Sequence, residues 1–93
     1  MPFDYELSDK LKGIVQKLRR KDPKRAEILY KKIKQIIGSD EFIIEHFKNL
    51  YHEMSDRKRV HIDKSFVLTF KVDKKKRHIL FTDFDHHDNI YEK

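Results

Sequence analysis

The apolar residues of this chain recur about every 3.6 residues across positions 8 to 37 and every 2 residues after Arg57. A 3.6-residue repeat buries one stripe only as a helix, and a 2-residue repeat buries one face only as a strand. A helical first part and a sheet-forming second part follow. Within the first part, Leu7, Leu11, Ile14, Val15 and Leu18 form one stripe, with Ser8 as its cap and an end near Lys21. Asp22-Pro23 then reads as a cap followed by proline at the first helical position. Ala26, Leu29, Tyr30, Ile33, Ile36 and Ile37 make the second stripe, and Gly38 is expected to supply a left-handed stop.

Before the helices, Phe3, Tyr5 and Leu7 alternate with Asp4 and Glu6, the mark of a half-buried strand. Residues 39 to 56 read as a partly helical connector with Phe42, Ile43, Ile44, Phe47, Leu50 and Tyr51 as apolar anchors. Beyond it, Val60 and Ile62 share one face, with Arg59, His61 and Asp63 on the other. Asp63-Lys64 is a tight turn into a strand whose Phe66, Leu68, Phe70 and Val72 share a face. A second turn over Asp73 to Arg77 leads into a central strand, His78 to Phe84. The fold class is α+β: an N-terminal strand, a two-helix antiparallel hairpin, then a three-stranded antiparallel meander, with the helices on one face of the sheet. A chain of this size supports one modest core, so residues 1–93 are expected to form a single domain.

With no cysteine there is no disulfide, thiolate metal site or thiol nucleophile, which leaves oxygen and nitrogen chemistry. No run approaches the roughly 20 apolar residues of a membrane span, and the acidic start lacks the form of a signal peptide. A cytoplasmic protein is expected. The formal charge of +6 is concentrated in two blocks. Lys10 to Lys34 holds 11 basic residues against Asp22 and Glu27, and Asp56 to His78 holds nine against three acidic ones. Such blocks fit a phosphate backbone, and they fit a solvated lysine-rich surface equally well.

If Val60 and Ile62 face the helices, Arg59 and His61 face a solvent groove, and His86, His87 and Tyr91 follow the last strand closely enough to join them. Cleavage of RNA through its own 2′-hydroxyl needs a base, an acid and a cation for the phosphorane charge, and no metal. Histidine and arginine supply these, and an aromatic ring can stack on a splayed base. Each residue has a plainer role available. His61 fits as a solvated sheet residue and Tyr91 as a core anchor for the terminus. His86, His87 and Asp88 could be considered as a metal site, but adjacent histidines on extended backbone point apart and no third ligand has a characteristic spacing. His46, His52 and His78 carry no comparable pattern.

These segments together resemble the RelE/ParE toxin superfamily, in particular the RelE-type mRNA interferases of the YafQ branch. The resemblance spans the strand and helical hairpin of Phe3 to Gly38, the Arg57-Lys-Arg-Val-His-Ile62 segment, Ser65-Phe-Val-Leu-Thr-Phe70 and the ending Asp85-His-His-Asp-Asn-Ile-Tyr91. A histidine four positions before a C-terminal aromatic is its most specific element. The resemblance implies a toxin of a type II toxin-antitoxin system, an endoribonuclease that enters the ribosomal A site and cuts bound mRNA. It assigns His87 to proton transfer, Arg59 to charge stabilisation, His61 to a second acid, base or orienting role, and Tyr91 to base stacking. Lys48, Lys58, Lys64 and His86 would bind RNA, with the helical lysines on ribosomal RNA. No cofactor is implied, and the partners are a cognate antitoxin protein, the ribosome and mRNA. Two features depart from the branch: Ser65 stands where an acidic residue is expected, with Asp63 two positions earlier, and neither His46 nor His52 matches its connector histidine. Alternatives are a ParE-like gyrase inhibitor without catalysis, or a degenerate toxin that only binds antitoxin or RNA.

Overall fold

The computed structural model describes residues 3–50 and 56–91. The elements run β1 (Asp4–Leu7), α1 (Asp9–Lys21), α2 (Pro23–Ile37), α3 (Glu41–His46), β2 (Lys58–Ile62), β3 (Phe66–Asp73), β4 (His78–His86) and α4 (His87–Tyr91). The four strands lie in the order β1-β4-β3-β2. β2, β3 and β4 form the antiparallel meander, and β1 adds beside β4 in parallel. This is the α+β arrangement anticipated above, with β1 now placed at the sheet edge.

The helix ends follow from their caps. The Ser8 hydroxyl accepts from the Leu11 amide at 3.1 Å and donates to the Thr82 carbonyl at 2.7 Å, so one side chain starts α1 and ties it to β4. Asp22 ends α1 through its amide on the Leu18 carbonyl and begins α2 by accepting from the Arg25 amide. Gly38 does not use the left-handed conformation expected of it. Its φ of −85° is right-handed, because the chain runs almost directly into α3, capped by Asp40.

Leu11 and Val15 from α1, and Leu29, Ile33 and Ile36 from α2, pack on Ile62, Leu68, Phe70, Ile79 and Phe81. A bulge at Thr82 shifts the register between Thr69 and Phe70, so Phe84 joins the same core although it is out of phase with Ile79 and Phe81. The opposite face of the sheet carries a smaller cluster of Leu50, Val67 and Ile90, with Tyr91 packed against it.

The connector is partly helical, but its anchors divide. Ile44 and Leu50 are buried, whereas Phe42 is 73% and Ile43 49% exposed. In a six-residue helix only one side meets the core, and Ile44 occupies it. Tyr51 and His52 lie outside the described residues. Asp63 also leaves the row assigned to it. The strand has ended at Ile62, and the Asp63 carboxylate turns to Arg25 of α2 at 3.2 Å.

Candidate functional site

Alternation along β2 sends Val60 and Ile62 into the main core and leaves Arg59 and His61 on the other face. Opposite them on β3 lie Thr69 and Val67. The turn that follows takes Asp63 and Lys64 through left-handed backbone, with φ of 52° and 63°. Its last residue, Ser65, accepts the His87 amide on its carbonyl at 2.7 Å. His87 is thereby fixed as the first residue of α4, beside the end of β2.

Because α4 is helical, His87 and Tyr91 lie on one side of it, one turn apart. Their rings are 4.4 Å apart. On its other flank the His87 ring stacks with His61, at 5.6 Å and an interplanar angle of 25°. The Arg59 guanidinium lies 5.5 Å from the centre of the Tyr91 ring. Arg59, Tyr91, His87 and His61 therefore form one continuous surface. Arg59 takes part in no ion pair among the described residues, and its Nε is buried without a hydrogen-bond acceptor. An uncompensated cation beside two imidazoles can receive an anionic group, and the imidazoles can move protons at it.

The remaining residues singled out from the sequence do not join this surface. His86, the last residue of β4, meets the Phe66 ring edge-on at 5.7 Å, and it parts from His87 because the chain turns there from strand into α4, not because both lie on extended backbone. Lys48 is exposed, and its carbonyl accepts the Arg59 amide at 2.8 Å. Lys64 is exposed at the turn. Lys58 is different: its ammonium donates to the Phe47 carbonyl and to Asn49 Oδ1, each at 3.1 Å, and burial lowers its pKa below the usual lysine value. It fastens the connector to β2. Asp88 was not singled out for a role of its own, yet its carboxylate lies 3.5 Å from His87 Nδ1 and 3.8 Å from His86 Nδ1. Ser65 was noted only as a departure, and it acts through a main-chain carbonyl that no sequence motif reveals. Among the described residues no three His, Asp or Glu side chains converge as a metal site requires.

No family model matches the chain. Individual proteins do. A protein of Methanocaldococcus jannaschii, assigned by its name to the RelE toxins as RelE4, is 46% identical over 91 residues, spanning 98% of this chain and 93% of its own length. An uncharacterised protein of Methanosarcina mazei is 38% identical over 89 residues, spanning 96% of this chain and 99% of its own. Among solved structures, YafQ of E. coli superposes with a TM-score of 0.72 at 16% identity, covering 96% of this chain and 98% of YafQ. A chain of the toxin-antitoxin complex RelBE2 of Mycobacterium tuberculosis gives 0.67 at 18% identity, covering 94% and 93%. The two solved structures share the fold, and 46% identity to the RelE4 protein over nearly the whole chain carries the assignment: the chain is a member of the RelE toxin family.

Proposed function

We propose that this chain is the toxin of a toxin-antitoxin pair and acts as a ribosome-dependent mRNA endoribonuclease. The observation that carries the reading is the contact of Arg59, Tyr91, His87 and His61 on the sheet face away from the α1–α2 hairpin. In this reading one imidazole takes the proton of the RNA 2′-hydroxyl as its oxygen attacks the adjacent phosphorus. The phosphorus–5′-oxygen bond breaks, and the leaving oxygen receives a proton from the other imidazole. The products are a 2′,3′-cyclic phosphate and a 5′-hydroxyl. Arg59 stabilises the charge that gathers on the phosphorane oxygens, and Tyr91 stacks on a base beside the cleaved bond. Lys48, Lys64 and the half-exposed His86 flank the cluster as phosphate contacts, whereas the engaged ammonium of Lys58 supports the site from within.

Ribosome association draws on the basic helical hairpin, where a groove of about 420 Å³ is lined by Arg19, Lys31, Lys34 and Tyr30, with Glu27 as its acidic member. RelBE2 is a toxin-antitoxin complex. By analogy the partner of this chain is an antitoxin, and an acidic or partly disordered segment folding over the basic groove would suit the charge. The reading places the protein in the cytoplasm with the ribosome. No described helix is long and apolar enough to cross a membrane.

The test is incubation of the purified protein with ribosomes carrying an end-labelled mRNA. Fragments ending in a cyclic phosphate or its hydrolysis product support the reading. Intact mRNA, with supercoiling by DNA gyrase blocked instead, would favour the ParE-like alternative.

A further inference from the structure

Arg25 lies on the helix side of the sheet, away from the candidate site, and its contacts exceed what α2 requires. Nη1 donates to Asp22 Oδ2 at 2.5 Å, beside the cap formed by the other oxygen of the same carboxylate. Nη2 crosses to Asp63 Oδ2 at 3.2 Å, a partner 38 positions away. The guanidinium carbon sits 4.3 Å from the centre of the Phe66 ring. One planar fork thus holds two carboxylates and covers an aromatic face.

Two routes lead from these contacts to the imidazoles. Asp63 opens a turn in which it and Lys64 both adopt left-handed backbone, a conformation that persists in such residues when their surroundings hold it. The Ser65 amide donates to the Asp63 carbonyl at 2.6 Å, and the Ser65 carbonyl accepts the His87 amide at 2.7 Å. His61 is two residues before the turn, so both imidazoles hang from it. By the second route, Phe66 stacks on Phe84 at 5.3 Å and meets His86, the neighbour of His87, at 5.7 Å.

We infer that Arg25 is a positioning residue: by clamping Asp63 and Phe66 from α2 it sets the separation and tilt of the His61 and His87 rings. The functional consequence rests on the proposed ribonuclease reading, while the geometric one does not. A half-exposed ion pair adds little to global stability. Displacement of reacting groups by about 1 Å, in contrast, can cost on the order of 100-fold in rate. Lysine has a single ammonium and no plane, so it cannot replace the fork.

The experiment compares the parent with Arg25→Met, Arg25→Lys and Asp63→Asn. Thermal unfolding establishes that each is folded, and NMR records the imidazole shifts of His61 and His87 and the Overhauser contact between the rings. Single-turnover cleavage on programmed ribosomes is measured beside ribosome affinity. Arg25→Met and Asp63→Asn should weaken the inter-ring contact, shift both imidazoles and slow cleavage roughly 10- to 100-fold, with affinity retained. Arg25→Lys should fall between them and the parent. Asp63→Asn keeps the α2 cap and the Phe66 contact, so it decides the matter if Arg25→Met does not fold. Unchanged imidazole signals, or a loss confined to ribosome affinity, overturn the inference. A parent that cuts no RNA retires the ribonuclease reading instead, and the NMR comparison still decides what Arg25 does.

Discussion

Tyr91 has His87 on one side, Arg59 on another and the Leu50, Val67, Ile90 cluster behind it. If its contribution to cleavage is stacking, Tyr91→Ala should lose roughly 1 to 3 kcal/mol of productive RNA interaction. Tyr91→Phe should be nearly silent in single-turnover assays, and a phenylalanine variant as slow as alanine would transfer the role to the hydroxyl. Lys58 behaves as a brace. Lys58→Met removes both of its hydrogen bonds and should lower stability by about 1.5 to 3 kcal/mol in denaturant unfolding, the usual range for bonds to a charged group, and leave the salt slope of RNA binding unchanged. Lys64→Gln, in contrast, should reduce that slope by about one if Lys64 contacts a phosphate. A fall in slope for Lys58→Met would restore it as a phosphate ligand. The placement of Arg59 and His61 was legible because strand side chains alternate, whereas the contact of His87 with Tyr91 depends on a helical turn that the spacing alone does not announce. The bracing by Lys58 was not legible. It depends on which carbonyl the folded connector presents, and a lysine among lysines gives no sign of that.

Ser8 shows how an element is placed as well as started. Its hydroxyl caps α1 and also reaches the Thr82 carbonyl at the β4 bulge. Ser8→Ala removes both bonds, and the expected loss is about 1 to 2 kcal/mol. For a domain of this size that is a drop in Tm of roughly 5 to 15 °C by calorimetry, and an unchanged Tm would contradict the bracing role. The starts of α1 and α2 could be read from Ser8 and Asp22-Pro23, since capping is local chemistry. The helical state of His87–Tyr91 could not be, because five residues are too short to establish a period. Gly38 and the exposed Phe42 and Ile43 were misjudged for a related reason. The course of the chain after α2, and the side of α3 that meets the core, are decided by tertiary packing.

At the scale of the molecule, two antiparallel helices cover one face of a four-stranded sheet and leave the His61, His87, Arg59, Tyr91 surface on the other. The switch from a helical to a strand repeat made the layers legible, whereas the parallel pairing of β1 with β4 joins segments far apart in sequence and leaves no local pattern. If the chain binds the ribosome as proposed, a net charge of +6 weighted toward the hairpin should make that binding strongly salt-dependent. Affinity measured from low to physiological salt should fall steeply, and reversing the charge of Lys31, Lys32 and Lys34 should weaken association without slowing the chemical step. Loss of chemistry in that variant would mean the active face is misplaced. The central claim is that His87 transfers a proton during mRNA cleavage, and single-turnover cleavage of a programmed ribosome by the parent and by His87→Ala tests it most directly. The expected result is a slowing of about 10²- to 10⁴-fold with ribosome affinity unchanged. Full activity in His87→Ala would contradict it and return the role to His61 or His86.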